Sequence, residues 1–212
     1  MSAVIDRDSA AFTLIELIVV IMIIAVLVGL SFPVYQGVQN SAKKTQAKND
    51  VTQIVTAVNA FYTEYGRYPI DSTVITDTGA TFGQGSSNSR VLFDTLRGKT
   101  TTLNTRQIVF ISPPEDTNQD KAKGKIGRDG QFYDPWGSAY LVRMDANYDN
   151  EVDNPYYPDT TAGPEKIRQG VLGWSLGKNG VRGGGSTTDP SFGKEPGAAD
   201  KYQGSGDVIS WQ

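Results

Sequence analysis

Between Phe12 and Phe32 the chain reads FTLIELIVVIMIIAVLVGLSF, an almost unbroken apolar run interrupted by one charge, Glu16. At about 1.5 Å per helical residue such a run is roughly 31 Å long, which matches the ~30 Å hydrocarbon layer of a bilayer. The pattern then changes period. Val34, Val38, Ala42, Val51, Ile54/Val55, Val58, Phe61/Tyr62 and Tyr65 recur at helical spacing, while Lys43, Lys44, Lys48 and Asn49 occupy the other faces. Gly66 supplies a C-cap and Pro69 a stop. One helix is therefore predicted from about Phe12 to Tyr65, roughly 80 Å if straight. Pro33 lacks an N–H and clashes with the carbonyl of Gly29, so a kink or local unwinding is expected at Gly29–Pro33.

Beyond the helix the periodicity shortens. Gln107–Ser112, Ala139–Met144, Val171–Leu176 and Val208–Trp211 are short runs rich in branched and aromatic residues, bounded by Gly, Pro and Asp, and they read as strands. Loops are expected over 71–89, 113–130, 147–163 and 183–206, the last long, polar and glycine-rich. Strands grouped after one long helix give an α+β class: a long N-terminal α-helix, its first half transmembrane, packed on a small antiparallel β-sheet head with long loops. The expected division is 1–11 as a leader, 12–32 as a transmembrane or filament-core helix, 33–66 as its amphipathic continuation, and 67–212 as a β-rich head with an insertion at about 183–206.

Composition narrows the chemistry. The chain has 212 residues, a net charge of −3, and neither histidine nor cysteine. Disulfides, thiolate zinc sites, cysteine nucleophiles and every imidazole-dependent triad are excluded, and any metal must be a hard cation on oxygen ligands. The acidic balance argues against nucleic acid as a partner. Ser175 has no G-x-S-x-G context, and Gly183–Gly185 precedes neither a helix nor a Lys-Ser/Thr pair, so neither an esterase elbow nor a phosphate loop is present. Asp116-x-Asn118-x-Asp120 and Asp145-x-Asn147-x-Asp149, with Glu151 and Asp153, alternate oxygen donors. Both lack the glycine and the distal Glu of a calcium loop and read first as solvated acidic turns.

Glu16 has two readings. Thr13-Leu14-Ile15-Glu16 forms a capping box at a positive helix end; alternatively Glu16 pairs with a cation from another chain inside the membrane, where an unpaired carboxylate is costly. A cleavable secretory signal is the competing account of the whole segment. Its apolar region is usually shorter and its n-region basic, whereas MSAVIDRDSAA carries Asp6 and Asp8 beside Arg7.

The stretch Ala11-Phe12-Thr13-Leu14-Ile15-Glu16-Leu17 ahead of the apolar run resembles the N-terminal signature of type IV pilins and type II secretion pseudopilins. That resemblance implies cleavage between Ala11 and Phe12 by a prepilin peptidase, N-methylation of Phe12, and pairing of Glu16 with the terminal amine of a neighbouring subunit. Ala11 stands where the family usually has Gly, and the leader is less basic than usual. Tyr65-Gly66-Arg67-Tyr68-Pro69, Asp134-Pro135-Trp136-Gly137, Ser175–Gly180 and Asp207–Trp211 resemble segments of the major pseudopilins in particular. The resemblance implies a non-enzymatic subunit of a homopolymeric filament. It would sit in the bacterial inner membrane as a single-pass protein with its C-terminal head in the periplasm. Its partners would be the peptidase, minor pseudopilins, an inner-membrane assembly platform and, before assembly, lipid. It also implies calcium in the C-terminal loop, held by the carbonyls of Leu176 and Val181, the side chains of Asn179 and Asp207, and Ser210. Asn179 departs from the family's Asp there, and Asn179-Gly180 reads equally as a tight turn. The other classes in view are a type IV pilin of adhesion or motility and a membrane-anchored periplasmic enzyme or binding module.

Overall fold

The computed structural model describes residues 12–83, 89–157, 159–182, 202 and 205–212, with the side chains of 30–34 and 36 outside the description. The expected leader 1–11, including Ala11, and most of the expected 183–206 insertion therefore lie outside the described residues.

Helix α1 spans Leu14–Tyr65. It ends where expected: Gly66 adopts φ 67°, a left-handed conformation that glycine takes without a Cβ clash, and its N–H bonds the carbonyl of Tyr62 at 2.8 Å. Of the kink or local unwinding expected at Gly29–Pro33, the unwinding does not occur, since α1 is unbroken across both residues. A proline removes one hydrogen bond, and the bonds on either side carry the helix past it.

Two compact units divide between Ala42 and Lys43. In the first, every described side chain from Leu14 to Val28 is exposed. Among the described residues no helix is long and apolar enough to cross a membrane; the membrane expectation for 12–32 rests on the sequence. The second unit holds the head and the end of α1. The buried stripe of α1 is Ala47, Val51, Ile54, Ala57, Val58 and Phe61. It starts later than the periodicity suggested: Val38 is 62% exposed, and Ala42 is exposed too.

The sheet is antiparallel, in the order β1 (Thr81–Phe82), β2 (Leu141–Met144), β5 (Val171–Ser175), β6 (Val208–Ile209). A separate pair joins β3 (Val152–Asp153) to β4 (Lys166–Ile167). Alternation along β2 and β5 sends Val142, Met144 and Val171 into the core that includes the α1 stripe. Leu141, Leu172 and Trp174 join a second cluster with Val152, Tyr156, Ala162, Ile167 and Ile209. Covered on both faces, the central strands are buried at every position. Gly173 lets α1 approach: a Cβ there would sit 3.2 Å from Val55 Cγ2 and 3.3 Å from Val51 Cγ1.

Two expectations are corrected. Helix α2, Ser89–Leu96, was not foreseen; Leu92, Phe93 and Leu96 anchor it in the core. Gln107–Ser112 is not a strand. Gln107 has φ 52°, and the N–H groups of Phe110 and Ile111 both bond the carbonyl of Leu96, so the segment wraps the end of α2 rather than joining the sheet. Asn104, fully buried, ties this wrap together: its amide donates to the carbonyls of Thr95 and Ile108 and accepts from the Ile108 N–H and the Tyr65 hydroxyl.

Candidate assembly terminus and C-terminal loop

At the start of α1 the capping box is formed. Glu16 N–H bonds Thr13 Oγ1 at 3.3 Å, and Thr13 returns its N–H and hydroxyl to Glu16 Oε2 at 3.3 and 3.0 Å. Two backbone donors are thereby satisfied, with the carboxylate at the positive end of the helix dipole. Glu16 remains exposed, and Phe12, at 80% exposure, stands outside the helix. The box fixes the exposed carboxylate at the start of the helix, an arrangement compatible with both readings of Glu16.

The two halves of the C-terminal loop meet. Leu176 enters a 3-10 turn, Gly177–Asn179, closed by Gly180 at φ 69°. A Cβ on Gly177, itself at φ 61°, would lie 2.4 Å from the carbonyl oxygen of Gly206, so only glycine permits this contact between the halves. The side-chain oxygen of Asn179 accepts the Val181 N–H at 3.2 Å, the tight-turn arrangement. Buried Asp207 accepts the Tyr156 hydroxyl on Oδ2 at 2.8 Å. Ser210 is turned elsewhere: its N–H bonds the Gly173 carbonyl at 2.9 Å and its Oγ accepts the Gly173 N–H at 3.0 Å, extending the pairing of β5. Calcium takes six to eight oxygens. Of the side chains in the expected set, Asn179 is occupied within its own turn and Ser210 serves the sheet. Asp207 is the single carboxylate of that set.

The acidic turns carry their own cations. Asp120 pairs with Arg128 through two contacts of 2.8 and 3.0 Å, and Lys166 lies 3.6 Å from Asp149 and 3.8 Å from Asp153. Asp145 accepts the N–H groups of Asp149 and Asn150. Among the described residues no three acidic, histidine or cysteine side chains converge as a metal site.

A model of the family described as the prokaryotic N-terminal methylation motif matches residues 6–32. Over 181 residues, 85% of this chain and 96% of the relative, the sequence is 27% identical to the type II secretion system core protein G of Dickeya chrysanthemi. The first match covers the start of the chain, and the second extends over most of it. No solved structure matches it.

The chain also has a polar network that motif reading did not resolve. The Asp134-Pro135-Trp136-Gly137 turn is built on Asp134, which is fully buried. Its Oδ1 accepts the N–H groups of Trp136, Gly137 and Ser138 at 3.0, 2.7 and 2.9 Å, and its Oδ2 accepts the Ser175 hydroxyl at 2.6 Å. Burial nevertheless raises its carboxyl pKa, outweighing those four bonds. Ser175 is thus a structural donor. Asp50 on α1 takes the Tyr140 hydroxyl at 2.8 Å; its pKa is raised chiefly by burial, and further by the charge of Asp134. Lys48, two residues before, donates to the carbonyls of Ile209 (2.7 Å) and Gln212, fastening β6 to the helix, and burial lowers its pKa. Neither Asp50 nor Lys48 stood out in the sequence, because a lone charge on a helix face reads as solvated until its partners are placed.

Proposed function

We propose that this chain is a structural subunit of a pseudopilus that drives type II protein secretion, its work being assembly rather than catalysis. As a precursor it is cut between Ala11 and Phe12 by a prepilin peptidase and methylated on the new Phe12 amine. Phe12–Phe32 holds it in the bacterial inner membrane, head in the periplasm, until minor pseudopilins and a membrane platform start the filament. The observation that carries this reading is the start of α1: a carboxylate fixed in the first turn, next to the terminus, at the head of a helix whose described apolar side chains are exposed through Val28.

The chemistry is that of a desolvated ion pair. Apolar faces of neighbouring helices exclude water, and Glu16 then neutralises the Phe12 amine of an adjacent subunit. Removing one partner of such a pair costs about 3–5 kcal/mol, because the other charge stays buried and unpaired. Glu16→Ala is expected to be processed and inserted normally and to be absent from filaments sheared from cells; its normal incorporation would leave Glu16 with its capping role alone. Mass spectrometry of the native N-terminus tests the processing step. N-methylated Phe12 supports the reading, and an intact Met1 or a terminus near Phe32 overturns it.

A further inference from the structure

Three tyrosines stack where α1 ends. The rings of Tyr62 and Tyr68 lie 4.7 Å apart with planes 30° apart, and Tyr148 joins Tyr68 at 5.6 Å and 28° and Tyr62 at 6.4 Å and 34°. The Tyr68 N–H donates to the Tyr148 hydroxyl at 3.4 Å. Tyr68 is buried, whereas Tyr62 and Tyr148 stay 38% and 48% exposed, so aromatic surface faces outward at the end of the helix. The surroundings are negative. Segment 145–153 carries Asp145, Asp149, Glu151 and Asp153, whose ion pairs among the described residues are with Lys166 and Arg168. Buried Arg143 and Asp77 act on the same segment and offset each other. This charge reaches the rings: burial pushes the Tyr68 hydroxyl pKa up to about 12, and the charge of Asp145 adds to the rise. A half-exposed π-stack beside excess carboxylate is complementary to a cation.

Helix α1 carries one. Lys44 is exposed, and the lysine ion pairs among the described residues are those of Lys99, Lys125 and Lys166, so Lys44 holds none. From Lys44 to Tyr62 is about five helical turns, ~27 Å, which puts both on one face of α1. Val51 to Thr63 includes no charged residue. The exposed Thr52, Thr56 and Thr63 turn their hydroxyls back to the carbonyls of Lys48, Thr52 and Asn59 at 2.8, 2.8 and 2.9 Å, so covering them strands no hydroxyl.

We propose that the tyrosine stack is a docking surface for a second copy of this chain, which lies parallel, displaced along α1 by about five turns, and lays its Lys44 ammonium on Tyr62 and Tyr148. Lysine suits the position because its apolar stem can cross the rings while its charge stays beside the carboxylates. The contact rests on the assembly reading above, in which subunits drawn from one membrane orientation are parallel. The Phe12–Glu16 pair implies a stagger of only about 6 Å, so the two contacts join different neighbours. The terminal pair holds adjacent helices together, and Lys44 fixes the offset of a more distant subunit against the head.

The chain has no cysteine, so introduced thiols report on it alone. Lys44→Cys and Tyr148→Cys are combined in the full-length chain, overproduced in its native cells, and the sheared filaments are treated with a short bismaleimide. The expected result is a ladder of covalent multimers from the pair and none from either single variant. A control pair, Lys44→Cys with Lys178→Cys on the exposed 176–181 turn, should give none. Lys44→Gln should lower filament yield roughly 2–30-fold, with Lys44→Arg restoring most of it. In detergent micelles Lys44→Gln should melt at the wild-type Tm, and a clear fall would assign the lysine to the head itself and overturn the proposal. Filaments that give no ladder, or an equal ladder from the control pair, overturn the contact and leave the assembly reading standing. Wild-type cells that make no filaments overturn both. If the cysteine pair does not assemble, the Lys44→Gln and Lys44→Arg yields decide: two yields equal to wild type overturn the contact, and loss with rescue supports it.

Discussion

Replacing Asp134 by alanine isolates what one buried carboxylate contributes to this head. The substitution removes an oxygen that accepts three backbone N–H groups within 2.7–3.0 Å and another that accepts the Ser175 hydroxyl at 2.6 Å. The site is fully buried, so water cannot readily replace these bonds. Each donor left unpaired costs about 1–3 kcal/mol; local relaxation of the turn returns part of that, and a net loss of about 3–5 kcal/mol is expected. At roughly 2–4 °C per kcal/mol for a domain of this size, Tm falls by about 10 °C. Asp134→Asn is the control: its amide oxygen can still accept the three N–H groups and its amide nitrogen can donate to Ser175 Oγ, so its loss should be about 1 kcal/mol. Urea unfolding followed by tryptophan fluorescence reads both, since Trp136 sits in the turn and Trp174 on the adjacent strand. Equal losses for the two variants, or an alanine loss below about 1 kcal/mol, would refute the assignment of the turn's stability to these bonds.

Asn104→Leu should cost about 2–4 kcal/mol in the same assay, because it orphans the Ile108 N–H, the Tyr65 hydroxyl and two carbonyls that the amide now serves; a loss under ~1 kcal/mol would show that α2 and its wrap hold without it. Gly173→Val should lose about 1–3 kcal/mol by overpacking against Val51 and Val55, with Gly173→Ala milder, and an unchanged urea midpoint for valine would mean the helix is not seated on that strand. Burial holds the carboxyl pKa values of Asp50, Asp77 and Asp134 above their unfolded values, so the folded state binds more protons. Their contribution to stability must therefore increase as pH falls through the folded pKa values, levelling off near the ordinary value of about 4. Asp50→Asn should flatten part of that rise in urea titrations between neutral pH and about 4, while a steeper profile in the variant would reverse the sign assigned here.

What the sequence disclosed follows from how local each signal is. Helix α1 was legible because its periodicity is long and its end is marked by Gly66, and the strands around 141–144, 171–175 and 208–209 because branched and aromatic residues are bounded there by turn formers. The capping box was legible because Thr13 and Glu16 are three residues apart. Helix α2 went unread although Leu92, Phe93 and Leu96 keep helical spacing, since eight residues give a weak period. The segment 107–112 misled because its composition is that of a strand, and only the left-handed turn at Gln107 and the distant carbonyl of Leu96 divert it. The pairing of Ser210 was illegible for the same reason: its partner, Gly173, is far away in the chain, and nothing near Ser210 announces it.

The lengths of the outer strands have a bearing on how such a chain can polymerise at all. Both borders of the four-stranded sheet are two residues long, β1 on one side and β6 on the other, and Lys48 occupies the Ile209 carbonyl of β6 and the Gln212 carbonyl that follows it. A border that short offers almost no template for an added strand, and here one is plugged by a lysine ammonium. Heads crowded at high local concentration are thus denied the cross-β route to association. On the proposed reading, a chain that works by polymerising through α1 would thereby be kept from becoming an amyloid.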